Sequence, residues 1–277
     1  MKIFKTIFLS IFFLLNTTFS FSQDMTKNAL ALIDSFFDLR MNLSLIEESE
    51  TDKIISEIDS FAVKNKDKIF ALSEMETIVL ENFIIMEKYN YLYEKPGQAK
   101  VQHEILGNQL KKIESFVENN QINDAYFFCT QADITSCYMG YSVGDVLKYG
   151  TSVRPLYEKA LECNPNLSYA LTNIGQWYYF APGIAGGSKK KTLSYFEKAR
   201  ECAVTDSQKY FADIFLSQLL FEKKEFERCN SLLSEAESIC PNSNYLKKIR
   251  SANQQGLSLF EYNRKKSSLD KESKKIE

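Results

Sequence analysis

Gly175-Gln176-Trp177-Tyr178-Tyr179-Phe180-Ala181-Pro182-Gly183-Ile184-Ala185-Gly186-Gly187 is the stretch on which the fold turns. Gly175 removes a side chain where a neighbouring helix must come close, and the aromatic run after it supplies an apolar helix face. Pro182 and Gly183 break that helix, and Gly186-Gly187 turns the chain. Ser188-Lys189-Lys190-Lys191 then opens a second amphipathic segment that runs into Tyr195-Phe196-Glu197-Lys198-Ala199. The reading is a helical hairpin with an unusually long turn.

The pattern recurs, which separates a repeat from a chance helix pair. Leu156-Tyr157-Glu158-Lys159-Ala160 starts 39 residues before Tyr195, and Leu232-Leu233-Ser234-Glu235-Ala236 starts 37 residues after it. Ala160 precedes Pro165 by five residues and Ala236 precedes Pro241 by five, and proline closes a helix because it cannot continue the hydrogen-bond ladder. Ser136, Gly175 and Ser217 are the small residues placed where paired helices cross. From Ser217 the steps to Cys229, Leu233, Ala236 and Pro241 are 12, 4, 3 and 5, a spacing that resembles the tetratricopeptide (TPR) repeat. In the first two units the small residue precedes the closing alanine by 24 residues, against 19 in the third. Each therefore carries about five extra residues, around 140–144 and at 181–187. The expected fold is all-α, a TPR-like array of antiparallel helical hairpins.

The N-terminus reads as an export signal. Lys2 and Lys5 precede an apolar run from Ile7 to Leu15, and Ser20-Phe21-Ser22 forms a small-x-small cleavage site before Gln23. The run is too short to span a bilayer comfortably, and no cysteine stands near the cleavage site to take a lipid. The expectation is a periplasmic or secreted chain. Its divisions are residues 1–22 as signal, 23–119 as degenerate N-terminal hairpins, 120–262 as the repeats and 263–277 as a charged, frayed tail.

In the N-terminal half, Leu32, Ile33, Phe36 and Phe37 recur at helical spacing, as do Ile54, Ile58 and Phe61. A long third helix is expected from about Asp67 to Tyr93, before Lys95-Pro96-Gly97, and a fourth from about Ala99 to Val117. With 44% hydrophobic content but only 10 Gly and 5 Pro, the composition favours helices over a turn-rich β fold. Loss of the signal takes two lysines and no acid, moving the formal charge from −2 to −4 and leaving no basic stripe for nucleic acid.

Catalytic groupings are scarce. The single His103 stands beside Glu104 on a polar stretch and reads as a surface residue. Gly186-Gly187-Ser188-Lys189 lacks the spacing and preceding strand of a phosphate loop. No catalytic, metal or cofactor residues are assigned, and the chain reads as a non-enzyme. Its six cysteines survive signal removal; Cys129/Cys137 and Cys229/Cys240 are too far apart along one helix to bridge. Cys163/Cys202, at matching places in successive units, is the pair best placed to do so, with buried free thiols the favoured state.

In stacked hairpins the first helix of each pair lines the concave face. Aligned on Gly175 and Ser217, Tyr169, Thr172, Gln176, Tyr179 and Phe180 match Phe211, Ile214, Gln218, Phe221 and Glu222. Tyr169, Gln176, Tyr179, Phe180, Phe211, Gln218 and Phe221 are therefore the candidate binding residues. They describe an aromatic concavity with a polar stripe, suited to an apolar ligand or a peptide. Tyr179, Phe180 and Phe221 are expected to face one cavity, and Tyr178 to pack inside the hairpin.

The run at 175–187, with Lys-Lys-Lys-Thr-Leu-Ser-Tyr-Phe-Glu-Lys-Ala at 189–199, resembles the TPR proteins associated with tripartite ATP-independent periplasmic (TRAP) transporters. The resemblance covers about residues 120–240. It implies an accessory subunit that docks the transporter's periplasmic substrate-binding protein, holds a hydrophobic small molecule and forms a symmetric oligomer. Members tethered through an N-terminal lipidated cysteine differ from this chain. The alternatives are a general TPR scaffold of the cell envelope and, as an enzyme, a helical hydrolase or lytic factor.

Overall fold

The computed structural model describes residues 24–93 and 95–265, and among them it is all-helical. The helices are α1 (Lys27–Leu43), α2 (Thr51–Lys64), α3 (Lys66–Phe70), α4 (Glu74–Leu92), α5 (Gln98–Asn119), α6 (Ala125–Met139) and α7 (Val143–Tyr149). They continue as α8 (Val153–Cys163), α9 (Ser168–Phe180), α10 (Lys189–Glu201), α11 (Asp206–Glu222), α12 (Phe226–Ile239) and α13 (Asn244–Gln254), with a 3-10 turn at Gly183–Ala185. A final helical stretch occupies 259–265. The signal-peptide reading and most of the expected tail lie outside the described residues; within it, 263–265 continue the last helix.

Short polar side chains start these helices by taking up the orphan N–H groups of the first turn. Thr26 accepts from Ala29 N, Asp124 from Phe127 N at 2.8 Å, Ser142 from Asp145 N at 3.0 Å, and Ser243 from Leu246 N at 3.1 Å. The same chemistry corrects the expected third helix. Ser73 and Glu76 form a reciprocal capping box, so the chain breaks at 71–73 and the stretch from 67 to 93 divides into α3 and α4. The first insert was expected as part of a turn; its residues 143–149 instead form the helix α7.

Sequential helices pair by packing: α6 with α8, α9 with α10, and α11 with α12. Along α9 and α10 the contacts run in opposite directions, Gly175 meeting Phe196 while Tyr178 stacks on Tyr195 at 5.5 Å and reaches Lys191. A Cβ on Gly175 would fall 2.6 Å from Phe196 Cε1, so only glycine permits this crossing. The insert after α9 is closed by Ser188 N donating to Tyr178 O at 2.8 Å and Gly187 N to Pro182 O at 3.1 Å. Gly187 is needed there too, since a Cβ would meet Ala181 O at 1.9 Å.

The first helices also touch one another, α4 to α6 to α9 to α11, and α1 lies across them. Its Phe37 ring sits 5.1 Å from Phe83 of α4 and 5.3 Å from Tyr169 of α9. Its Arg40 pairs with Glu87 of α4 at 2.6 Å and covers the Phe211 ring of α11 at 5.0 Å. At its end, Ser44 O accepts from Asn244 N at 2.8 Å, and Ser44 Oγ accepts from Tyr210 OH at 3.1 Å. One helix thus ties both halves of the chain together. Phe36, Ile58, Ile78, Leu106, Phe127 and Ile174 fill the first part of the core, and Phe196, Tyr210, Leu219 and Ile249 the second. Truncating any of the buried phenylalanines to alanine would cost about 3–5 kcal/mol.

Candidate functional site

Two polar centres sit among the first helices, each built around one carboxylate. Asp133 of α6 is 6% exposed and lies in the angle between α8 and α9. Tyr157 and Tyr169 each donate a hydroxyl to it at 2.6 Å, and Asn173 Nδ2 lies 3.0 and 3.1 Å from its two oxygens. Gln176 Nε2 extends the chain to Asn173 Oδ1 at 3.1 Å. Burial pushes the Asp133 carboxyl up to about 6, against the opposing pull of these donors and of nearby Arg40. Arg40 is itself committed to Glu87: burial disfavours its charge, but that carboxylate keeps its pKa above the usual arginine value.

The second centre is Glu222 at the end of α11. It accepts from the Tyr179 hydroxyl, from Lys189 Nζ at 2.6 Å and from Ser258 Oγ at 2.8 Å. Burial opposes its charge, but the lysine and hydroxyl donors win and hold it below the usual carboxylate range. The Tyr179 phenol is pushed upward, by burial first and then by its bond to Glu222. Phe260 from 259–265 stands 4.5 Å from the Tyr179 ring, and Arg264 lies over Tyr179 and Phe180 at 5.8 and 6.0 Å.

The seven candidate residues are distributed over these surroundings. Tyr169 and Phe211 face α1, the first bonded to Asp133 and stacked near Phe37, the second under Arg40. Gln218 is fully buried; Asn253 Nδ2 donates to its carbonyl at 3.0 Å and Leu259 N at 2.8 Å. Tyr179 is 8% exposed, whereas its neighbour Phe180 is 51% exposed. Phe221 packs on Phe226 at 5.5 Å. Tyr179 and Phe180 meet at Phe260, whereas Phe221 turns to Phe226 of α12. The chain's own α1 covers Tyr169 and Phe211, and 257–265 covers Gln218, Tyr179 and Phe180, while Gln176 bonds Asn173 of its own helix. Two open clefts, of about 310 and 430 Å³, lie elsewhere: one among Leu110, Gln131 and Leu156, the other along Ile55 and Val63 of α2.

Sequence reasoning passed over Asp133 and Arg40, and set Glu222 in the matched inner positions without choosing it as a candidate. The signal was a charge on an apolar stripe: Arg40 follows Phe36 and Phe37 at helical spacing, and Asp133 follows Cys129 by one turn. His103, read as a plain surface residue, stacks on Tyr138 at 4.6 Å, with Nε2 3.3 Å from Asp145 Oδ2. The six cysteines are free thiols, with Cys163 Sγ donating to Asn123 Oδ1 at 3.4 Å. Among the described residues no group of three or more His, Cys, Asp or Glu could hold a metal ion, and no helix is long and apolar enough to cross a membrane. Compared with known proteins, the chain matches no family model and no curated sequence.

Proposed function

We propose that this chain is an exported, non-catalytic protein built of TPR-type hairpins, an accessory subunit that docks the substrate-binding protein of a TRAP-type transporter. What supports the repeat reading is the order of packing: α6/α8, α9/α10 and α11/α12 pair in sequence, and α6, α9 and α11 touch in turn. The transporter role rests on the resemblance of residues 175–199. The filled concavity favours docking of a protein over storage of a hydrophobic molecule, because a ligand there would have to displace Phe37 and Arg40. Of the candidate residues, Phe180 is the one that leaves an aromatic face half open to a partner, with Arg264 beside it.

The carrying observation is that exposed ring, and it sets the test. Purified chain is titrated against the binding protein of a TRAP transporter from the same cell. Phe180→Ala should weaken the complex at least tenfold, the usual scale for an aromatic anchor, with an unchanged helical spectrum. Absence of any complex with the parent chain returns the protein to the rival reading, a general scaffold of the cell envelope.

A further inference from the structure

The two inserts carry aliphatic side chains that pack against nothing in the fold. On α7, Val143, Val146 and Leu147 are 78%, 48% and 79% exposed. Their spacing of three and four residues puts them on one helix face. The helix is held from its other side, where Asp145 approaches His103 and Tyr149 packs on Tyr138 at 5.8 Å. A surface helix of a globular protein ordinarily turns its apolar stripe inward; α7 turns it to solvent. In the second insert Ile184, at the tip of the 3-10 turn, is fully exposed.

These two apolar tips share an edge. Three residues, 150–152, join α7 to α8, and the first turn of α8 carries Arg154. Its guanidinium lies 5.7 Å over Trp177, and Nη1 is 3.5 Å from where a Cβ of Gly186 would stand. The acids at this edge are already paired, Asp145 with His103 and Glu158 with Arg154 at 3.5 Å, while the lysines stand open. Lys148, Lys190 and Lys191 are exposed, and no Asp or Glu occurs between Glu162 and Glu197. Aliphatic tips flanked by exposed lysines, in a chain of net negative charge, complement a surface that is anionic outside and apolar a few ångströms within. We propose that this edge docks on the headgroup region of an anionic phospholipid bilayer, with Leu147 and Ile184 entering the acyl boundary and the lysines meeting phosphates. The inference stands apart from the transporter reading, since it concerns different side chains and a different ligand.

The test is co-sedimentation with vesicles of phosphatidylglycerol and phosphatidylethanolamine, beside vesicles of phosphatidylcholine alone. Both the full chain and the form beginning at Gln23 are used, because the apolar run at 7–15 would itself seek a bilayer. The form from Gln23 should pellet with anionic vesicles and stay in solution with phosphatidylcholine. Leu147→Ser with Ile184→Ser, and separately Lys148→Ala with Lys190→Ala, should each lower partitioning by about tenfold, from lost acyl burial and lost headgroup attraction respectively. Phe70→Ser, at a residue 92% exposed on α3, should change nothing. The proposal is overturned if that form ignores anionic vesicles or binds both kinds equally. It is equally overturned if the Leu147/Ile184 pair binds as the parent does, or if Phe70→Ser removes binding instead.

Discussion

Asp133 of α6 and Glu222 at the end of α11 are both drawn out of water, the first more fully than the second, and are pushed in opposite directions. Asp133 has three neutral donors and no cation bonded to it, because Arg40 spends its hydrogen bond on Glu87. Glu222 has two hydroxyls and the Lys189 ammonium in direct contact. Hydroxyls soften the burial of a carboxylate without removing the penalty on its charge; a contacting ammonium reverses it. The centre of the fold therefore holds a carboxylate poised near neutrality, and the C-terminal patch holds one that stays ionised.

Arg40→Leu breaks this contrast most severely. Glu87, whose side chain is 6% exposed, would be left buried without its cation, and Asp133 would lose its nearest positive charge. Removing one partner of such a pair costs about 3–5 kcal/mol, to be read as a lower midpoint in urea unfolding. If the variant is as stable as the parent, Arg40 is not the tie between α1 and α4 that the geometry describes.

Asp133→Asn sharpens it. The folded carboxyl titrates near 6, above the ordinary aspartate value, so the folded state takes up the proton first as pH falls. Its contribution favours folding at low pH and is lost as pH rises through about 6. Lowering pH from 7 to 5 should therefore stabilise the parent relative to Asp133→Asn by about 1 kcal/mol, measured by paired denaturant melts. A gap that does not move with pH would mean that Asp133 titrates as an ordinary aspartate.

Lys189→Ala has the smallest effect and the opposite sign with pH. Glu222 is held below the usual carboxylate range, so its stabilisation is present above that range and fades as pH falls through the lowered value. Because Lys189 is 67% exposed, solvent screens the pair and the loss at pH 7 should be about 0.5–1 kcal/mol. The difference from the parent should close in acid; a difference that widens would contradict the assignment.

The contrast was only half legible in the sequence. Gly175, Pro182 and the Gly186-Gly187 pair mark where α9 ends and α10 follows, and the structure places those ends at Phe180 and Lys189. Tyr178 reads as internal from its offset to Gly175, and it is 2% exposed against Tyr195. For the candidate binding residues, periodicity gave the helix face and not what covers it. Tyr169 lies on α9 and Phe211 and Gln218 on α11, but their neighbours are Phe37, Arg40 and Leu259, at separations of more than 40 residues that no local pattern records.

Helical class, the start of most helices and the long turn after Phe180 follow from the sequence by itself, because caps, glycine, proline and the 3.6-residue period act within a few residues of where they stand. The division of the stretch from 67 to 93 at Ser73 was available in the same way, through Glu76 three residues on, and was missed because the apolar period continues across it. Only the tertiary structure decided that α1 would pack on α4 and α11, that Asp133 would gather three donors from α8 and α9, and that α7 would show its apolar face to solvent. Each of these depends on which surfaces meet, and an apolar stripe states that it must be covered without naming what covers it.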